Sequence, residues 1–221
     1  MGINKLECQA VLFDLDGVLI DSSKCITRHW QEWADRHDLD INAVMQVAHG
    51  FRAIETIQMV APHLDAEMEA RQHLAREVFD HAGVTAIDGA AQLLAALPDD
   101  AWGIVTSGST ELAQARLAYV GLPVPRVLVT ADDVQQGKPN PEPYQLGAEW
   151  LGVAAERCVV VEDAPAGIRA GKRAGMRVIG IASTHQRGEL IETGADIVVD
   201  RLTDLKIGGV ADSSCLTIQI E

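Results

Sequence analysis

A doubly wound α/β fold, with a parallel sheet between two helical layers and an inserted α-helical cap, is predicted by three observations. Short apolar, β-branched runs recur along the chain, helical stretches with recognisable ends lie between them, and one long segment carries helical periodicity alone. The runs are Ala-Val-Leu-Phe at 10–13, Trp-Gly-Ile-Val-Thr at 102–106 and Arg-Val-Leu-Val-Thr at 126–130. Three more follow: Arg-Cys-Val-Val-Val at 157–161, Arg-Val-Ile-Gly-Ile at 177–181 and Asp-Ile-Val-Val at 196–199. Continuous apolar runs of this length suit strands covered on both faces.

Between the runs, Gly121 and Gly152 stand where a left-handed C-cap ends a helix. Pro165 falls just inside the start of a helix over 164–174, and Gly175 follows its end. The segment 22–87 breaks the alternation and shows no convincing strand. Ile26, Trp30, Trp33 and His37 form an apolar stripe at i, i+4, i+7 and i+11, and Leu64, Met68, Leu74 and Val78 mark a second helical stretch. The expected organisation is therefore a core of residues 1–21 and 88–221 carrying a helical cap of residues 22–87. The tail 215–220 alternates apolar and polar residues and reads as an antiparallel edge strand.

The chain has 221 residues, 18 Lys plus Arg against 32 Asp plus Glu, and a net charge of −14. That balance argues against sequence-independent nucleic-acid binding, which needs lysine and arginine to neutralise phosphates. Cys8, Cys25, Cys158 and Cys215 are scattered with no CxxC pair, so they read as buried thiols in a reducing compartment rather than a zinc site or thiol catalyst. The apolar stretch near the N-terminus is cut by Asp14 and Asp16, and no segment reaches the roughly 18 apolar residues of a membrane span. A cytoplasmic protein, monomeric and without membrane contact, is expected.

Ligands of open α/β sheets bind beyond the carboxyl ends of the strands, near the point where strand order reverses. Polar residues follow four of the runs: Asp14-Leu15-Asp16-Gly17, Thr106-Ser107-Gly108-Ser109, Gly137-Lys138-Pro139 and Glu162-Asp163. Mg²⁺ takes oxygen ligands, usually one or two carboxylates with waters and a substrate phosphate, so Asp14, Asp16 and Asp163 are candidate ligands. Lys138, the Ser107 hydroxyl and the Gly108 amide suit the remaining oxygens of a phosphoryl group. Ser109 and Thr110 open a helix whose N-terminus favours anions. A carboxylate can also attack phosphorus, and side chains two residues apart on an extended segment return to one side. Asp16 is thereby placed to protonate a leaving alkoxide and then to deprotonate water.

These four ordered motifs, Phe13-Asp14-Leu15-Asp16-Gly17-Val18, Val105 to Ser109, Gly137-Lys138-Pro139 and Val161 to Gly167, resemble those of the haloacid dehalogenase superfamily over about residues 8–205. The resemblance is nearest to its capped sugar phosphatases, those of bacteria acting on hexitol and hexose phosphates and those of yeast acting on 2-deoxyglucose 6-phosphate. It implies a Rossmann-like core and Mg²⁺-dependent hydrolysis of a small phosphorylated metabolite through an aspartyl phosphate. By the same resemblance Asp14 is nucleophile and ligand, Asp16 is acid/base and a ligand through its carbonyl, and Asp163 and Glu162 are further metal positions. Leu15, Ser107, Gly108 and Lys138 would contact the phosphoryl group, and His49 and Arg52 in a cap loop would meet the substrate.

Taken alone, Asp14 and Asp16 read as solvated turn acids, Ser107 as a helix cap, Lys138 as a surface lysine, and Glu162 as a residue that tunes Asp163. His29, His37, His63, His73 and His81 read as surface or helix-face residues, and 131–133 as a turn. A dehalogenase needs neither Mg²⁺ nor a second acid. A β-phosphoglucomutase-like phosphomutase shares all four motifs, but Ile26, Ala53 and Thr110 stand where its pattern has histidine, arginine and lysine. A non-enzymatic, aspartate-phosphorylated signalling domain would have adjacent acids after the first strand and no cap.

Overall fold

The computed structural model describes residues 5–212 and 215–221. In chain order it runs β1 (Lys5–Cys8), β2 (Ala10–Phe13), β3 (Ile20–Asp21), α1 (Ser23–His37), α2 (Ile41–Ala48), α3 (Ala53–Val60), α4 (Ala66–Glu77) and β4 (Thr85–Ala86). The alternation then resumes with α5 (Ala90–Ala95), β5 (Trp102–Val105), α6 (Thr110–Val120), β6 (Val127–Val129), α7 (Glu142–Leu151), β7 (Cys158–Glu162), α8 (Pro165–Arg173), β8 (Arg177–Ile181), α9 (Arg187–Thr193) and β9 (Ile197–Val199). The chain closes with β10 (Leu205–Asp212) and β11 (Cys215–Ile220). No helix among the described residues is long and apolar enough to cross a membrane.

All six apolar runs form strands of one parallel sheet, ordered β6-β5-β2-β7-β8-β9. Strand order therefore reverses between β2 and β7, which pair in parallel from Ala10 opposite Cys158 to Phe13 opposite Val161. Each residue of β2 is buried, and alternation divides them between two cores. Val11 and Phe13 join the cluster with Ile104, Leu117 and Val159, whereas Ala10 and Leu12 join the cluster with Tyr144, Val160 and Ile168. Each fully buried Leu or Phe side chain contributes about 1.5–3 kcal/mol, so this strand is firmly seated where the site begins. Gly121 and Gly152 end α6 and α7 in the left-handed conformation, as expected, and Pro165 opens α8.

The tail departs from the sequence expectation. β11 is the centre of a separate antiparallel sheet ordered β1-β11-β10, and not an edge strand. Its inward residues Leu216 and Ile218 are buried in the main core with Leu6 and Cys8.

The segment between β3 and β4 holds four helices around their own core of Trp30, Trp33, Val44 and Ile57. A two-stranded antiparallel ribbon, Ile20 opposite Ala86 and Asp21 opposite Thr85, ties its two ends together; four residues of pairing are too short to leave a sequence pattern. Trp30 and Trp33 are buried on the expected stripe, but α4 turns Ala70, His73 and Glu77 inward and leaves Met68 49% exposed. Polar residues face inward here because each finds a partner. His73 packs on Trp30 with ring centroids 4.1 Å apart, and Glu77 meets a buried arginine. His29 is also buried, with Nε2 3.0 Å from Asp80 Oδ2. His29 and His73 are thus buried on helix faces in the core of the helical segment, which decides between the surface and helix-face readings of the sequence.

Candidate active site

Asp14 stands one residue beyond β2, where its amide extends the ladder by donating to the Val161 carbonyl at 2.9 Å. Across the reversal, β7 ends in Glu162, with Asp163 next. The loop after β6 brings Lys138 to the same spot. Its ammonium is 1% exposed and donates to Asp14 Oδ1 at 2.5 Å, Glu162 Oε1 at 2.7 Å and the Val105 carbonyl at 3.0 Å. Ligand atoms of Asp14, Glu162 and Asp163 all lie within 4.8 Å of one another.

Three buried carboxylates facing one ammonium leave two negative charges uncompensated. Burial accordingly pushes the Asp14 carboxyl up to about 7, with Glu162 adding to the rise and Lys138 opposing it. Asp163 is raised for the same reasons, burial first and then its two acidic neighbours. Burial pulls the Lys138 ammonium down, and the carboxylates of Asp14 and Glu162 outweigh it, so the net direction is upward. A divalent cation is the counter-charge that this donor set lacks, and its hard oxygens match Mg²⁺.

Of these three carboxylates, Asp14 and Asp163 each keep an oxygen without a side-chain donor among the described residues. Lys138 uses Oδ1 of Asp14, and no side-chain donor among the described residues bonds Oδ2. Asp163 Oδ2 accepts from the Thr184 hydroxyl. Glu162, expected among the metal positions, is engaged on both oxygens. Oε1 accepts from Lys138 and from the Tyr144 hydroxyl at 2.9 Å, and Oε2 accepts from the amides of Asp163 and Ala164, each at 3.0 Å. That geometry makes Glu162 the brace of Lys138 and of the Asp163 loop. The brace requires Gly167, because a Cβ there would fall inside the Glu162 carboxylate. Gly17 is required likewise: its φ is +84°, and a Cβ would run into Asp163.

Asp16 lines a cavity of about 80 Å³ between the helical segment and the sheet edge, with Asp14, Ser107, His49, Glu77 and Arg116 among its walls. Oδ1 of Asp16 accepts from the Ser22 hydroxyl at 2.6 Å and from Arg116 Nη1 at 2.8 Å. The side chain of Leu15 is buried in the core; its carbonyl accepts from the amides of Leu19 and Ile20. The Ser107 hydroxyl donates to the Gly50 carbonyl at 2.8 Å, closing the helical segment onto β5. The Gly108 amide donates to Thr106 Oγ1 at 3.1 Å, so both of these phosphate-contact candidates hold local partners here. Asp132 and Asp133 shape the expected turn, accepting from the amides of Thr110 and Thr130, each at 2.9 Å.

The cap-loop pair divides. His49 lines the cavity 5.9 Å from the His185 ring, and burial, then His185, lowers its pKa. Arg52 turns away to the loop that carries Lys138, donating to the carbonyls of Val134 and Gln135 at 3.1 and 2.9 Å and to Glu55 at 2.7 Å. Glu55 in turn accepts from the Gly137 amide at 2.9 Å. Arg52, expected from sequence to meet the substrate, is not among the residues lining the cavity and here clamps the Lys138 loop.

Arg116, Glu77, Tyr144 and Thr184 went unnoticed in the sequence. Only Arg116 carries a signal there: it sits four residues after Leu112, on the inward stripe of α6.

A family model described as haloacid dehalogenase-like hydrolase matches residues 8–175. The chain is 41% identical to Hexitol phosphatase A of Escherichia coli, over 91% of this chain and 95% of that protein. It is 39% identical to Glycerol-1-phosphate phosphohydrolase 2 of Saccharomyces cerevisiae, over 92% and 86%. In fold it is similar to the crystal structure of a hydrolase from Pseudomonas syringae, with a TM-score of 0.81 and 27% identity over 89% of this chain and 95% of that one.

Proposed function

This chain belongs to the haloacid dehalogenase-like hydrolases and is one of their phosphatases, and from that premise we propose that it hydrolyses phosphomonoesters of small, uncharged sugars or sugar alcohols through an aspartyl phosphate. The observation that carries this reading is the convergence of Asp14, Glu162, Asp163 and Lys138 at the strand-order reversal, three carboxylates against one ammonium.

Asp14 and Asp163 would hold Mg²⁺, which when bound supplies positive charge to the phosphoryl oxygens. Lys138 fixes Asp14 Oδ1 and places a further full charge beside the transferring group, in a buried site where such charge counts most. Asp14 attacks phosphorus; a P–O bond to its carboxylate forms as the ester P–O bond breaks. Asp16 gives the departing alkoxide its proton, then takes one from the water that attacks the aspartyl phosphate, which returns Asp14 and releases phosphate. The side chain of Leu15 is committed to the core, so its contribution to phosphoryl binding is its backbone amide. We assign residues 22–87 the role of a cap that excludes water during transfer and residues 1–21 with 88–221 the role of the catalytic core. The four free cysteines fit a cytoplasmic setting.

Charge in the cavity supports an uncharged leaving group. Arg116 is the single cation among its lining residues, and it is already matched by Asp16 and Glu77. Burial lowers both His49 and His73, the latter to about 3, so both are neutral at pH 7. A second phosphate or a carboxylate would find no counter-charge. The cavity is small, about 80 Å³, which favours a short leaving group. Ile26 and Ala53 line the cavity where the phosphomutase pattern has histidine and arginine, which supports hydrolysis over mutase chemistry.

The test is phosphate release from glycerol phosphate, hexitol phosphates, hexose 6-phosphates, phosphoglycolate and pyrophosphate, after chelation and then with Mg²⁺. Turnover of the esters of uncharged polyols and sugars, restored by Mg²⁺ and at least about tenfold faster than that of phosphoglycolate and pyrophosphate, whose leaving groups carry negative charge, is expected. Hexose phosphate isomerisation that needs a bisphosphate activator and releases no phosphate would overturn the reading.

A further inference from the structure

We propose that Arg116 is a positioning residue that holds Asp16 in its proton-transfer geometry and does so fully only when Glu77 of the helical cap docks against it; this rests on the phosphatase reading above. Arg116 belongs to α6 of the core and is 2% exposed. Its guanidinium spans two acids distant in sequence, with Nη1 2.8 Å from Asp16 Oδ1 and Nη2 2.5 Å from Glu77 Oε1. Glu77 closes α4 and is itself buried.

Ser22 donates to the same oxygen of Asp16, so Oδ1 is held from two directions while Oδ2 has no side-chain donor among the described residues. Fixing one oxygen of a carboxylate fixes its plane. That leaves the other oxygen aimed, in a constant orientation, at whatever occupies the cavity that Asp16, Glu77 and Arg116 all line. The planar fork of arginine meets the two carboxylates with separate nitrogens in a fixed plane, a geometry that the single, shorter-reaching ammonium of a lysine at this position does not reproduce. The Nε of Arg116 has no partner among the described residues, so orientation of the group depends on its two carboxylates alone. Withdrawal of the cap removes Glu77, frees one arm of the fork and loosens the grip on Asp16. Proton transfer is thereby tied to closure, when water is excluded.

The test compares two small phosphates by kcat/KM, which reports steps up to phosphoryl transfer. The alkoxide of glycerol 1-phosphate needs a proton to leave, and the acetate of acetyl phosphate does not. In Arg116→Lys, kcat/KM for glycerol 1-phosphate should fall about 100-fold and that for acetyl phosphate less than about threefold. Asp14 phosphate should also accumulate from acetyl phosphate, because its hydrolysis needs Asp16 as base. Glu77→Gln, which keeps a neutral acceptor for Nη2 and reads out the coupling if the first variant fails to fold, should show the same selectivity at about a tenfold loss. Equal losses on both substrates, or no loss on either, would overturn the role of Arg116 and leave the phosphatase reading intact. A parent protein that releases phosphate from neither compound would remove that reading and this inference with it.

Discussion

Replacing Asp14 by asparagine should abolish turnover and, in chelator, make the protein more stable. The folded chain holds the Asp14 carboxyl at about 7 against an ordinary 3.8, because burial and Glu162 outweigh Lys138. A raised carboxyl is a fold-stabilising group below its unfolded value and loses that contribution as pH rises through the folded one. The gap corresponds to about 4 kcal/mol at about 1.4 kcal/mol per decade of proton affinity. Asparagine never ionises and keeps an acceptor for Lys138, so at pH 8 without metal the variant should gain about 2–4 kcal/mol. For a chain of this size that is about 4–16 °C in melting temperature. The advantage should shrink to under about 2 kcal/mol at pH 5. Saturating Mg²⁺ should narrow it, since an ion bound by the folded parent at 100 times its Kd returns about 2.7 kcal/mol. Thermal melts of both proteins at pH 5 and pH 8, with and without Mg²⁺, give the comparison. A variant that melts at or below the parent at pH 8 in chelator, or a gap that does not widen with pH, would refute the charge argument.

Two other perturbations probe the surroundings. Burial, then His29, Arg36, Arg116 and Arg76, lower His73 to about 3 from 6.5, while Glu77, 3.8 Å away, is claimed by Arg116. The unfolded chain therefore takes up a proton that the folded chain refuses. The parent should lose about 2 kcal/mol more than His73→Leu between pH 7.5 and 5, measured by urea unfolding, and parallel pH profiles would contradict this. Gly167→Ala should lower both kcat, by at least about tenfold, and melting temperature, although alanine favours a helix by about 1 kcal/mol over glycine. The new methyl group must displace the Glu162 carboxylate that braces Lys138. A stabilised, fully active variant would show that Glu162 is dispensable.

The parallel sheet was legible because each of its strands is apolar on both faces, and the ends of those strands marked where chemistry sits. Asp14, Lys138 and Asp163 follow from that placement. What stayed hidden depends on partners remote in the chain. Arg116 and Glu77 look like ordinary polar helix residues until they are seen to neutralise each other across 39 positions, and His73 is inward only because Trp30 covers it. Arg52 shows how a partner remote in the chain adds a role that its position does not suggest. A polar residue in a loop over the site suggested a substrate contact, whereas backbone carbonyls at 134 and 135 take its guanidinium. Sequence spacing likewise gives no hint that the Glu162 carboxylate is filled by two amides, a tyrosine and a lysine. The alternation of 215–220 was visible, but its two partner strands were not.

Acid quench of the enzyme turning over glycerol phosphate or a hexitol phosphate with Mg²⁺, then borohydride reduction and peptide sequencing by mass spectrometry, asks directly whether Asp14 carries the phosphoryl group. Reduction of an aspartyl phosphate yields homoserine, which is expected at position 14 and absent without substrate; in Asp16→Asn it should build up from acetyl phosphate, whose acetate leaves without a proton, and not from glycerol phosphate. Steady release of phosphate with position 14 unmodified, or with the label on another residue, would contradict it.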